Sequence, residues 1–221
     1  MDERFRLKKS FGENLAEKVF DGIFPNKCLF CQKVLGDATD AACEKCTADL
    51  PKNVSDQYAA YEYTEAVRRA IFRFKYEGRR FLARPVAKLI YEAFGKIEGD
   101  FLMPVPLFLK REKERGFNQA AEIAINLGSL MKIPVYGGME RVRDTAAQFE
   151  LNFGQRQTNV AEAFALKEGF DVRGKAILLV DDILTTGATA KECAEVLMAG
   201  GAKSVNLVVF AAANIRPAPK P

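Results

Sequence analysis

The chain has 221 residues, 48% of them hydrophobic and 28% charged, which suits one medium domain, or one domain plus a small module. Its net charge of +4 permits an anionic ligand without by itself marking a nucleic-acid protein. There is no histidine, which excludes Ser-His-Asp and Cys-His catalysis and any His-ligated metal centre. No apolar run approaches the ~18 residues of a membrane span. The opening segment MDERFRLKKS has no apolar signal core, so a cytoplasmic location is expected.

Residues 11–24 place Phe11, Leu15, Val19 and Ile23 at intervals of four, an amphipathic helix that Pro25 ends. Its apolar stripe is expected to pack on its own chain rather than on a membrane. Cys28, Cys31, Cys43 and Cys46 follow as C-x2-C-x11-C-x2-C. Each CxxC turn sets two thiolates on one side of a knuckle, and two knuckles complete a tetrahedral zinc site. Four thiolates leave no position for water, so the zinc is expected to be structural. A redox CxxC would need only one pair. Cys193 stands apart as a core residue.

From Val54 the texture changes. VSDQYAAYEY reads as an edge strand, and two helices follow with a break near Gly78. Arg68, Arg69, Arg73, Lys75, Arg79 and Arg80 concentrate positive charge there. Two readings stand side by side: a solvated basic face, or cations reaching a polyanion or nucleic acid. Phe101–Pro106 is a short apolar strand leading into a cationic turn with Lys110, Arg111, Lys113 and Arg115, then a helix from about Ala120. Ile133–Tyr136 is another short strand. Residues Gly137–Asn159 are polar and weakly periodic, a long segment expected to serve as a lid or binding loop, shortened by a helix around Ala146–Phe153. A strand over Gly174–Asp182, a helix to about Ala199 and a strand over Ser204–Ala211 complete the pattern. The tail NIRPAPKP is Pro-rich and expected to be disordered.

Strands alternating with helices indicate an α/β fold with a mainly parallel sheet. Ligands bind such sheets outside the carboxyl ends of the strands. There the stretch AILLVDDILTTGAT joins a buried apolar run to Asp181 and Asp182, and then to a turn of small and hydroxyl residues opening a helix. Neither GxxxxGK[ST] nor GxGxxG is present. Two carboxylates just before a Thr-Thr-Gly-x-Thr turn suit a ribose 5-phosphate. The amides and hydroxyls of the turn would hold the phosphate, while the acids face sugar hydroxyls directly or through Mg²⁺.

LLVDDILTTGAT resembles the phosphoribosyl pyrophosphate (PRPP) motif of type I phosphoribosyltransferases. PVPLFLKREKERGFNQ, RVRDTAAQFELNFGQRQTNVAEAF, FKYEG at Phe74–Gly78 and the four-cysteine module extend the resemblance to the ComF family of competence-associated proteins. Phe108 departs from it, standing where a histidine is expected. The resemblance implies a type I phosphoribosyltransferase-like parallel sheet with flanking helices, plus a small N-terminal zinc module. It implies that Asp181 and Asp182 meet the ribose hydroxyls. Thr185, Thr186, Gly187, Ala188 and Thr189 would cradle the 5-phosphate, and the Pro104–Leu107 turn, with Val105 and Pro106, would form a pyrophosphate loop near Arg115. Lys75, Arg143, Gln148 and Arg156 would close over the pyrophosphate, and PRPP would arrive with Mg²⁺.

The expected organisation is a helix and zinc module over 1–53, a phosphoribosyltransferase-like domain over 54–213 and a tail over 214–221. Three functions stay open. One is an enzyme transferring phosphoribosyl to an unidentified acceptor. Another is a DNA-uptake or DNA-processing accessory that binds single-stranded DNA or a helicase or recombination partner. The third is a PRPP sensor.

Overall fold

In the computed structural model, four apolar runs pair into one parallel sheet that splits the core in two. The residues described are 2–8, 27–36, 41–52, 58–76, 80–143 and 163–213. The expected helix at 11–24, the break at Gly78, the helix at 146–153 and the tail from 214 lie outside them. In chain order the elements are α1 (Glu44–Asp49), β1 (Tyr58–Glu62), α2 (Glu65–Tyr76), α3 (Ala83–Phe94), β2 (Phe101–Pro104) and α4 (Leu109–Arg115). Then come α5 (Gln119–Met131), β3 (Met139–Arg141), β4 (Phe164–Leu166), β5 (Ala176–Leu184), α6 (Ala188–Ala199) and β6 (Ser204–Ala212).

The sheet order is β1-β6-β5-β2, all parallel. A parallel strand covered on both faces reads as a continuous apolar run, and Ile177, Leu178, Leu179 and Val180 are all buried. Successive side chains point to opposite faces. Leu178 and Val180 therefore join the core beneath α2, α3 and α5, while Ile177 and Leu179 join the core beneath α6 and the β3–β4 hairpin. The first core also takes in Cys28, Leu29 and Phe30 of the cysteine module. Phe30 stacks on Phe210 of β6 with ring centroids 6.3 Å apart.

Four expectations change. LKREKER is a helix, α4, ending at Gly116 with φ +80; its residues are strong helix formers, and only Val105–Phe108 remain as the turn. β5 does not stop at the acids. It pairs with β6 through Asp181, Ile183 and Leu184, because the partner strand offers backbone groups that far. The segment at 133–136 makes only isolated bridges, Val135 to Leu102 and Tyr136 to Arg6, since Pro134 supplies no N–H to extend the ladder. Part of the expected 137–159 loop is strand β3, antiparallel to β4.

The hairpin lies close on the second core. A Cβ added at Gly138 would sit 2.1 Å from a ring carbon of Phe170, whose ring is wedged among Phe5, Phe101 and Tyr136. Gly138→Ala is expected to lower stability by about 1–3 kcal/mol, read as a fall in the denaturation midpoint. Gly36→Ala, where nothing lies within 4 Å, should leave the midpoint in place.

Candidate functional site

At the carboxyl end of β5 the alternation of side chains separates the two acids. Asp182 follows Val180 onto the α2 face and is 6% exposed. Lys75, near the end of α2, meets it with Nζ 2.6 Å from Oδ2. Burial alone would lower the Lys75 ammonium, but the Asp182 carboxylate, helped by Asp181, outweighs it and raises it. Asp181 points toward the α6 face. Burial pushes its carboxyl up to about 7, the charge of Asp182 adds to the rise, and Lys75 and the Asp182 backbone N–H oppose it. That N–H donates to Asp181 Oδ1 at 2.8 Å.

β5 ends at Leu184, and Thr185 to Gly187 turn the chain into α6. Gly187 caps the helix with φ +77, and Thr186 Oγ1 accepts from the Ala188 N–H at 3.4 Å. The positive end of a 12-residue helix thus opens beside the acids, an arrangement that favours an anion. Opposite lies the turn after β2. Asn118 holds it: Nδ2 donates to Val105 O at 3.0 Å, while Oδ1 accepts from Ala120 N at 3.0 Å and caps α5. Arg115, the last residue of α4, lies over the Tyr76 ring at 5.3 Å and donates from Nη1 to Gln119 Oε1 at 3.1 Å.

These parts enclose one cleft of about 780 Å³. Asp181, Asp182, Thr185, Thr186, Gly187, Ala188, Thr189, Val105, Pro106, Arg115 and Lys75 all line it. Arg143 is not among its lining residues and is exposed just past β3. Gln148 and Arg156 lie outside the described residues. Tyr63, Tyr76, Arg111, Asn118, Gln119 and Arg141 line the cleft without having been expected there. Asn118 carried a readable signal, an Asn directly before an apolar helical run. Arg141 did not, because which of two nearby arginines enters a cleft depends on the register of a three-residue strand.

The basic segment does not form a common face. Arg68 and Arg69 pair with Glu65, Arg80 with Glu122, and Lys75 with Asp182. Arg73 donates from Nη2 to the carbonyls of Leu29 and Phe30. Arg79 lies outside the described residues.

The four cysteines converge. Their sulfurs all lie within 4.8 Å of one another, and Cys31 and Cys43 are 3.7 Å apart. Bonds of about 2.3 Å in a tetrahedron separate sulfurs by about 3.8 Å, so this thiol set could hold a zinc ion. Burial opposes ionisation of the Cys28 thiol, but the backbone N–H groups of Cys31, Cys43 and Phe30 outweigh it and bring the thiol down to about 7. A thiol so poised gives up its proton readily to a metal.

The Phosphoribosyl transferase domain model matches residues 85–220, well over half of the chain. The chain belongs to that family. Similar proteins in it include competence proteins and DNA utilization proteins. Competence protein F of Haemophilus influenzae is 31% identical over 66% of this chain and 67% of its own. DNA utilization protein YhgH of Salmonella typhi is also 31% identical, over the same shares. Competence protein ComFC of Streptococcus pneumoniae is 27% identical over 86% of this chain and 82% of its own. The chain is thus a ComF-family, phosphoribosyltransferase-like protein. A solved allosteric regulatory enzyme of purine biosynthesis matches 60% of this chain and 25% of its own at 22% identity, with a TM-score of 0.39, a likeness too slight to argue from. No helix among the described residues is long and apolar enough to cross a membrane.

An acid whose folded pKa is raised binds its proton more tightly in the folded state, so its share of stability falls as pH rises from about 4 to about 7. Asp181→Asn should remove that share. Denaturation midpoints of the two proteins are expected to converge toward pH 4 and to separate by pH 7, with Asp181→Asn the more stable there. Parallel curves would show that Asp181 ionises normally.

Proposed function

We propose that this ComF-family protein binds PRPP with Mg²⁺ in the cleft and hands its phosphoribosyl group to an acceptor that the sequence does not name. One observation carries the reading: the acid pair, the turn at the start of α6 and the loop after β2 line a single cleft. Thr185–Thr189 would hold the 5-phosphate at the helix N-terminus. Asp181 and Asp182 would face the ribose hydroxyls. Val105, Pro106 and Arg115 would receive the pyrophosphate. Mg²⁺, arriving with PRPP, would add positive charge against the departing pyrophosphate.

The chain's own residues supply the rest of the chemistry. Displacement at the ribose C1 builds positive charge on the sugar and negative charge on the leaving group. Asp181 and Asp182 stabilise the first. Arg115, held between Tyr76 and Gln119, would stabilise the second with little reorganisation. Lys75, which lines the cleft and pairs with Asp182 at 2.6 Å, would hold that acid in place.

In the same reading, residues 1–53 form a module that holds one structural zinc through Cys28, Cys31, Cys43 and Cys46, residues 54–213 form the ligand-binding domain, and residues 214–221 form a tail. Reduced thiols of this kind suit a cytoplasmic protein.

The names of the relatives support a second reading, a DNA-uptake or DNA-utilization accessory that binds single-stranded DNA or a DNA-processing protein. The intramolecular partners of Arg68, Arg69, Arg73, Lys75 and Arg80 take support from that segment as the DNA-binding face. If single-stranded DNA binds, charge reversal at Arg68 and Arg69 should leave its affinity and salt dependence within about twofold, measured by anisotropy.

Calorimetry on the zinc-loaded chain is expected to show PRPP·Mg²⁺ binding, weakened at least about tenfold by Asp181→Asn with Asp182→Asn, a loss of about 1.4 kcal/mol or more. No heat from the wild type would remove the reading. Where PRPP binds, pyrophosphate release on adding nucleobases or amines separates an enzyme from a sensor. Metal analysis should return about one zinc per chain, and Cys28→Ser should lose it.

A further inference from the structure

Four consecutive side chains at the end of α2 reach three separate parts of the molecule. Arg73 donates to the carbonyls of Leu29 and Phe30, the two residues enclosed by Cys28 and Cys31. Phe74 packs on Phe117 at 5.6 Å, next to the Asn118 that holds the loop after β2. Lys75 pairs with Asp182. Tyr76 lies under Arg115. One turn of helix therefore touches the cysteine knuckle, Asp182 and the wall of the cleft after β2.

The knuckle end of this linkage is sensitive to metal. The carbonyls of Leu29 and Phe30 sit inside the first CxxC turn, so their direction follows the spacing of the Cys28 and Cys31 sulfurs. A bound metal fixes that spacing. Its loss would remove one restraint on the turn that anchors Arg73. Packed interiors transmit such shifts because neighbouring side chains have no empty space to absorb them.

We propose that Arg73 is a positioning residue that ties the first cysteine knuckle to the Asp181–Asp182 pair through Lys75, so that metal on the four cysteines and ligand in the cleft favour one another. Such linkage is reciprocal: whatever the metal does for ligand affinity, the ligand does for metal affinity. The ligand arm rests on the PRPP reading. The linkage itself can be measured without PRPP.

The test follows zinc release from the full, zinc-loaded chain to a chromogenic chelator. In the wild type, PRPP·Mg²⁺ is expected to slow release about fivefold or more relative to Mg²⁺ alone. Arg73→Gln should abolish this protection, and Arg73→Lys should restore part of it. With no ligand present, Asp182→Asn frees Lys75 at the far end of the linkage and should speed zinc release severalfold. It should add nothing once Arg73 is already Gln. Asp182→Asn leaves the knuckle contacts untouched, so this arm, read at a temperature where the denaturation midpoint shows the variant fully folded, decides the matter even if Arg73→Gln does not fold. Zinc release from Asp182→Asn at the wild-type rate would overturn the proposal. So would PRPP that binds by calorimetry yet leaves zinc release unchanged. PRPP that does not bind at all would remove the function proposed for the cleft, while the Asp182→Asn arm would still decide the linkage.

Discussion

A carboxylate held at 6% exposure on a central strand is costly to bury without a partner, and Lys75 at 2.6 Å from Asp182 answers that constraint. Removing one member of a buried pair leaves a charge without water or partner, at a cost of about 3–5 kcal/mol. The end of α2 is therefore held against the end of β5. The neighbours of Lys75 in sequence inherit its position, so Phe74 is carried into the core and Tyr76 to the rim of the cleft. Asp181, one residue away but on the opposite face of the strand, has no cation of its own at that distance among the described residues. Burial and the charge of Asp182 then raise its carboxyl. The two acids look equivalent in sequence and are electrostatically unlike in the fold.

The cysteine module is continuous with the rest. Cys28, Leu29 and Phe30 belong to the same buried cluster as Leu178 and Val180 of β5, and Phe30 lies against Phe210 of β6. A segment of this size cannot build a core of its own. It borrows one from the sheet.

What could be read in the sequence was whatever depends on near neighbours. The apolar run Ile177–Val180 announced a doubly covered strand. The Thr-Thr-Gly turn announced a helix N-terminus beside acids, and the CxxC spacing announced convergent sulfurs. What escaped depends on distant partners. α4 is polar apart from Leu109, so LKREKER carries no periodicity to read. β5 runs past its acids only because β6 is there to pair with them. Arg80 finds Glu122, and Arg73 finds carbonyls more than forty residues away; no local pattern marks either choice. Arg141 enters the cleft while Arg143 does not, a distinction made by a three-residue strand.

The sheet order also bears on how the chain assembles during synthesis. β1 leaves the ribosome first among the sheet strands, yet its partner is β6, the last. Until that strand emerges, Tyr58 and Ala59 have no ladder to join, and Phe30 has no Phe210 to lie against. The thiols can gather early, since their spacing is local. The surface they pack on arrives only at the end. Closing that sheet edge is a long-range, late step, and a nascent chain in this state exposes an unpaired strand and an apolar knuckle to its surroundings.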